Sequence, residues 1–274
     1  MKTRLILAMA LLAGLMVTGA DAGSEIKIAD KALEAALRDV LREPKAKLTE
    51  DKLNNVFVLE ADKKGIRDLT GLEKCKNLAL IKLAHNQIAD LKPLHGLSEL
   101  LSVDLAYNKI VDVAPLAGLK KVQFLELSHN QIVKLDGLNG LNTLASLYLT
   151  GNKIADIGPL AKLERLASLS LGNNQIRDLG PLATVTKIST LELKNNQIAD
   201  LSPLSKQTDL RLLMMENNKV TDLAPLLTMC EADAKGPMRF APFLRLYLAG
   251  NPLSANAKTK QIEALKKIGV RIEG

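Results

Sequence analysis

Apolar side chains recur along this chain at fixed intervals. In residues 193–204, LKNNQIADLSPL, the apolar positions are Leu193, Ile198, Leu201 and Leu204, separated by polar or small residues. The phrase returns, edited, from Leu83, Leu105, Leu127, Leu149, Leu171 and Met215. Aligned on its central amide it places Asn86, Asn108, Asn130, Asn152, Asn174, Asn196 and Asn218 at intervals of 22 residues. A degenerate copy, LEADKKGIRDLTGL, precedes them at 59–72, and LRLYLAGNPL at 244–253 follows with Asn251. Self-similarity at one short period predicts a solenoid, because no single coil can bury its own apolar face.

Within a period, apolar residues stand eight, five and three positions before the Asn, as Ile188, Leu191 and Leu193 do before Asn196. The last two alternate with polar residues, which predicts a short strand with one face buried. The spacing after the Asn is not helical over any useful length and suits a tight 3₁₀ turn on the far side. Pro93, Pro115, Pro159, Pro181, Pro203 and Pro225, each seven residues after its Asn, would start such a turn. Each coil then returns beside the last, giving parallel strands about 4.8 Å apart. The turn after each strand leaves inward backbone groups without ladder partners. An amide side chain both donates and accepts, so the eight residues Asn86 to Asn251 are expected to form an internal structural ladder. Asp90, Asp112, Asp156, Asp178, Asp200 and Asp222, four residues after their Asn, are expected to cap the turns rather than to hold calcium, since Lys134 interrupts the row.

A solenoid exposes leucines at its ends unless capped. At the start, Asp30 is a helix N-cap candidate, Leu33, Leu37, Val40 and Leu41 make one apolar stripe, and Pro44 stops the helix; LTEDKL at 48–53 begins a second short helix. At the end, SANAKTKQIEALKKI (254–268) reads as an amphipathic helix opened near Ser254 and closed by Gly269, with VRI adding a strand. Asn218 and Asn251 lie 33 residues apart, one period plus eleven, and the excess around 229–242 is expected to bulge from the side opposite the strands, as a functional loop or a tolerated insertion.

The motif L-x-x-L-x-L-x-x-N-x-I, carried by seven consecutive copies, resembles the leucine-rich repeat family, specifically the 22-residue type of bacterial internalin-like proteins and of the phosphatase-regulatory branch. The resemblance extends over roughly residues 26–274 and also takes in the helical N-terminal cap. It implies an α/β solenoid: a right-handed curved superhelix with parallel strands on the concave face, 3₁₀ turns on the convex face and helical caps at both ends. It also implies protein–protein interaction, without carrying over any particular receptor. The expected organisation is a leader over 1–22, an N-terminal helical cap over 23–54, repeats over 55–253, and a C-terminal cap helix and strand over 254–274.

Composition narrows the function. Lys2 and Arg4, the apolar run LILAMALLAGLMV and the small-residue Ala20-Asp21-Ala22 predict a signal peptide cleaved after Ala22, hence a secreted or periplasmic protein. No later stretch is long and apolar enough to span a membrane. The formal net charge is +7, and residues 231–274 hold 8 basic against 4 acidic residues, so the excess gathers at the C-terminal end. Lys258, Lys260, Lys266, Lys267 and Arg271 make the last cap basic, either as a solvated face or as a weak attractor of anionic surfaces. A nucleic-acid track would need a continuous basic groove with stacking aromatics, so no nucleic-acid partner is expected. Cys75 stands where later coils put Leu97 and Leu119, and Cys230 lies some seven coils away, beyond disulfide reach.

The outward strand positions precede the Asn by six, four, two and one. They gather the candidate partner-binding residues Lys82, Asp104, Tyr107, Phe124, Glu126, Tyr148, Glu192, Met214, Arg245 and Tyr247, with His85 and His129 beside Tyr107 in its row. The chain has no Trp, three Tyr and four Phe, yet four of these seven rings fall on that face. Rings placed outside an aliphatic core suggest binding anchors. Asp104 and Glu126 on neighbouring strands have a spacing that retaining glycosidases use. Nothing nearby would dry the site, and Lys82 can neutralise them. His85 and His129, two coils apart, are too distant to share a metal. The expectation is a non-enzymatic secreted module, without cofactor or metal and as a monomer, that grips an unidentified protein or peptide on the concave sheet. The alternative is a structural element of a cell-envelope or extracellular assembly.

Overall fold

The structure is a computed structural model that describes residues 23–273. The leader and its cleavage after Ala22 lie outside the described residues. Ten strands, β1 (Val58–Glu60), β2 (Leu80–Lys82), β3 (Ser102–Asp104), β4 (Phe124–Glu126), β5 (Ser146–Tyr148), β6 (Ser168–Ser170), β7 (Thr190–Glu192), β8 (Leu212–Met214), β9 (Arg245–Tyr247) and β10 (Arg271–Glu273), form one parallel sheet in sequence order. The middle residue of each strand from β1 to β9, Leu59 through Leu246, is buried, and its two neighbours point out. Val103 pairs with Leu125, Leu125 with Leu147 and Leu147 with Leu169, so one interior file of aliphatic side chains runs the length of the sheet.

Asparagine binds each coil to the one before. Asn196 Nδ2 donates to the Leu193 carbonyl of its own coil at 3.0 Å and to the Leu171 carbonyl of the preceding coil at 2.9 Å. Its Oδ1 accepts the Ile176 N–H at 3.0 Å. The same three contacts recur from Asn86 to Asn251. Three buried backbone groups per coil thus gain partners that a strand of three residues cannot supply. The aspartate row caps: Asp90, Asp112, Asp156, Asp178, Asp200 and Asp222 each accept the N–H two residues ahead. Proline follows at the start of each 3₁₀ turn from Lys92–Leu94 to Ser202–Lys206 in which it occurs. The coil of Asn130 lacks both devices, since Lys134 replaces the Asp and Gly137 the Pro, and it makes only simple turns there. Gly137 has φ +96°, and a Cβ on it would lie 2.8 Å from Ala114 Cα, so this turn admits little else.

At the N-terminal end, α1 (Lys31–Leu41) and α2 (Glu50–Leu53) cover the first coil. Asp30 Oδ1 caps α1 through the N–H groups of Ala32 and Leu33, and Oδ2 accepts from Arg67 and Asp68, tying the cap to the first repeat. The buried stripe of α1 is Leu33, Ala36 and Leu37; Val40, read from the sequence as part of it, is 41% exposed because the helix rotates it past the contact.

The extra eleven residues lie on the side opposite the strands, as expected, but as a helix and its return loop rather than as a plain loop. They extend the turn after Leu223 into a full helix, α3 (Ala224–Lys235), with Met229, Cys230 and Asp233 buried. Asp233 accepts the N–H groups of Arg239, Phe240 and Ala241 at 2.9–3.0 Å, which folds the return loop onto the helix end. The final helix opens with a π-wound turn, Ala257–Gln261, and continues as α4 (Ile262–Ile268). Gln261 is buried against the last repeat, accepting the Leu223 N–H and donating to Asp222. Cys75 and Cys230 are free and buried, and burial pushes both thiols up to about 12.

Candidate partner-binding face

The short strands present two outward rows, four and six residues before each Asn. In register, Lys82 pairs with Asp104, Asp104 with Glu126 and Glu126 with Tyr148, while Ser102, Phe124 and Ser146 form the parallel row. Phe124 and Tyr148 meet across β4 and β5 with ring centroids 5.5 Å apart and planes tilted 46°. Beyond them Ser146, Ser168, Ser170 and Gly172 leave a shallow stretch of small residues.

The carboxylates of the first half are turned back onto the sheet. Asp104 Oδ1 accepts the Ala106 N–H at 3.1 Å, Glu126 Oε1 the Ser128 N–H at 2.7 Å, and Asp62 Oδ1 the Ala84 N–H at 2.8 Å. Burial pushes the Asp104 and Glu126 carboxyls above their usual range, outweighing those bonds. Lys82 is shared: its Nζ sits 2.6 Å from Glu60 Oε1 on the preceding strand, and its charge also acts on Asp104 without a direct ion pair, so it offsets the carboxylates only in part. The position two before the Asn is also less open than read, since Ala84, Ala106 and Ser128 are buried beside the backbone turn.

The row immediately before the Asn is left-handed throughout: Lys63, His85, Tyr107, His129, Gly151, Asn173, Asn195, Asn217 and Gly250 all have positive φ. Its side chains stack outside the solenoid. Tyr107 lies between His85 and His129 with both centroid distances 4.2 Å. The stack ends at Gly151, where a Cβ would lie 2.8 Å from His129 Nδ1. Asn173, Asn195 and Asn217 then link amide to amide at 2.7 Å.

The second half of the face carries more direct ion pairing, although Glu216 Oε2 is buried there without a hydrogen-bond partner. Glu192 is mostly covered: it pairs with Lys194 at 2.9 Å and accepts from the Thr150 hydroxyl two coils away. Gly172 makes room, since a Cβ there would fall 2.6 Å from Glu192 Oε1. Met214 is half-buried. Arg245 stacks over Tyr247, bonds its hydroxyl and lies 3.8 Å from Glu273. Arg211 lies over Phe243, 5.0 Å from the ring centre.

Phe57, Val58 and Leu101 went unread from the sequence, as did Asp62 and Phe243, while Leu80 takes the outward position six before Asn86 that the repeat assigns it. Phe57, Val58 and Leu101 are 54%, 39% and 41% exposed at the entry ends of β1 and β3. The signal was there: carrying the outward offsets into the degenerate first coil, and one residue further back in each coil, would have found Phe57, Asp62 and Leu101. Among the described residues no group of three His, Cys, Asp or Glu could hold a metal ion, and no helix is long and apolar enough to cross a membrane.

A family profile described as Leucine Rich repeats (2 copies) matches residues 142–184. Among solved structures the chain is similar to internalin C2 of Listeria monocytogenes, with 35% identity over 73% of this chain and 89% of that one, at a TM-score of 0.70. The chain belongs to the internalin-type leucine-rich repeat family. Two further similarities bear on the fold alone. The functional domain of InlJ from the same organism matches at 22% identity, covering 82% of this chain and 51% of that one, at a TM-score of 0.58. The leucine-rich repeat protein LIC12759 of Leptospira interrogans matches at 20% identity, covering 74% of this chain and 56% of that one, also at 0.58. The InlJ domain is described as including a cysteine ladder; this internalin-type chain has an asparagine at each of its eight ladder positions. No curated protein matches the chain by sequence. Leucine-rich repeat proteins are generally protein-binding modules, and the sheet described above is the concave face of such a solenoid.

Proposed function

We propose that this internalin-type protein is exported, with cleavage after Ala22, and that it grips a protein partner on its concave sheet. The observation that carries the reading is the Phe124–Tyr148 pair. Two large rings meet in the middle of an outward surface, in a chain whose interior is almost wholly aliphatic. Neither ring fills the core, so packing does not account for them. Aromatic side chains bordered by small residues provide large contact area at low conformational cost, which is the composition of interface hot spots. The neighbouring His85–Tyr107–His129 stack extends the aromatic surface along the rim.

The test is affinity capture from the compartment into which the protein is exported, with parent and Phe124→Ala/Tyr148→Ala proteins compared. The double variant is expected to bind the captured partner more weakly by about 2–4 kcal/mol, with an unchanged thermal melt. A partner held equally by both would remove the concave-face reading.

A further inference from the structure

The first four coils carry two parallel stripes that the aromatic pair does not explain. One is apolar: Val58 and Leu80 open their strands, Phe57 and Leu101 stand one residue before theirs, and the row continues to Phe124; Phe57 is 54% exposed, Val58 39% and Leu101 41%, and Leu80 is partly buried. The other is acidic: Asp104 and Glu126 face out two residues further along their strands, with Asp62 behind them. Val58, Leu80 and Phe124 stand two residues, about 6.8 Å, before the acidic row, Phe57 and Leu101 stand three residues, about 10 Å, before it at the sheet edge, and neighbouring strands lie about 4.8 Å apart. Exposed aliphatic side chains of this size are not needed by the fold, whose interior is closed beneath them.

The acidic stripe forms no ion pair of its own, and Lys82 acts on Asp104 only at longer range. The one lysine on the outward row beside it, Lys82, is held by Glu60, and among the described residues no Lys or Arg forms an ion pair with Asp104 or Glu126. Both carboxyls are partly desolvated, which costs their charged forms. A cation from outside would relieve that cost. The second half of the face differs, because Glu192 already has Lys194, and Glu273 lies by Arg245.

Repeat distances choose the kind of segment. Side chains on one face of an extended peptide recur at about 6.8 Å. Those three or four apart on a helix recur at about 5–6 Å, closer to the strand spacing. A helix also presents an apolar and a polar stripe side by side. We propose that the first half of the concave face docks a basic amphipathic α-helix of a protein partner. Its apolar stripe lies on Phe57, Val58, Leu80 and Leu101, and its Lys or Arg side chains lie on Asp104 and Glu126. The inference rests on the concave-face reading and specifies the chemistry of its partner.

The probes are three synthetic helical peptides of one length that share an apolar stripe and differ only in the flanking positions, which are Lys, Gln or Glu. Fluorescence anisotropy measures their affinity for the exported protein. The Lys peptide is expected to bind at least about tenfold tighter than the Gln peptide and to weaken as salt rises. Asp104→Asn/Glu126→Gln should abolish that advantage. Both substitutions keep the oxygen that caps Ala106 or Ser128, so the fold is retained. Phe57→Ser/Leu101→Ser, checked by an unchanged melt, should weaken all peptides alike. Equal binding of the Lys and Glu peptides, a Lys advantage that survives neutralisation of the two carboxylates, or no binding at all would overturn the proposal. The captured-partner test with Phe124→Ala/Tyr148→Ala is separate. Its success beside a failed peptide panel would remove the basic helix and leave the concave face standing, whereas its failure would remove both.

Discussion

Asn195 and Asn196 are the same residue in adjacent positions, and they belong to different parts of the molecule. Asn196 is buried and its amide bonds only to backbone, bridging two coils. Asn195 is exposed, its backbone is left-handed, and its amide bonds only to other exposed amides, those of Asn173 and Asn217. Along the chain the first row varies through His, Tyr, Gly, Asn and Lys, while the second is Asn at eight successive places. The inner row is fixed by backbone groups that every coil leaves unpaired. The outer row is fixed only in conformation, so its chemistry is free to serve the surface.

Replacing the two asparagines separates the rows most sharply. Asn196→Ala is expected to cost about 2–4 kcal/mol in urea unfolding, because the buried Ile176 N–H loses its acceptor, worth about 1–3 kcal/mol, and two carbonyls each lose a donor, which adds to it. Asn195→Gly, which keeps the left-handed backbone at no steric cost, should stay within about 0.5 kcal/mol of the parent. Equal losses would erase the distinction between frame and surface.

Carboxylates divide the same way. In Asp30, burial raises the carboxyl, but the N–H groups of Arg67, Leu33, Asp68 and Ala32 outweigh it and hold the group below its ordinary 3.8. Its contribution to stability is therefore complete above that value and is lost as pH falls through 3.8 and below. Asp104 and Glu126 have the opposite sign. Burial makes the folded chain hold their protons more tightly than the unfolded chain does, so their charges cost stability at neutral pH, and the cost fades as pH falls through their raised range. Asp104→Asn/Glu126→Gln is thus expected to melt at or above the parent temperature, with a gain within about 1 kcal/mol. A clear loss of stability would return these carboxylates to the frame. A smaller effect is expected at Gln207, which is fully buried where other coils place Cys75, Leu97, Leu119 and Val185. Its Nε2 donates to the Leu182 and Val185 carbonyls of the preceding coil at 3.2 and 2.9 Å while its Oε1 is buried without a partner, so in Gln207→Leu the lost bonds and the relieved oxygen oppose each other and the change should stay within about 1 kcal/mol in the same unfolding assay.

The inner frame was legible in the sequence because it repeats. Asn-centred periodicity, the aspartate caps and the turn prolines each recur with one chemical job. The left-handed row was harder to read, since His, Tyr and Lys share no backbone preference, though Gly151, Gly250 and three Asn hinted at it. Helix α3 was missed because it is a single event: Asp233 closes its return loop by three backbone bonds that no pattern announces. The closer contact of Lys82 with Glu60 was missed for a related reason, as Glu60 sits in the degenerate first coil, which lacks the ladder asparagine. What escaped the sequence is what occurs once, and much of the candidate site is of that kind.

The central claim is that the partner sits on the sheet. Placing a photo-crosslinking side chain at Ser146, beside Phe124 in register, and separately at Val133, exposed off the sheet, tests it directly. Irradiation of each protein with the captured partner is predicted to give a covalent adduct from position 146 and none from 133. An adduct from 133 with none from 146 would contradict the account.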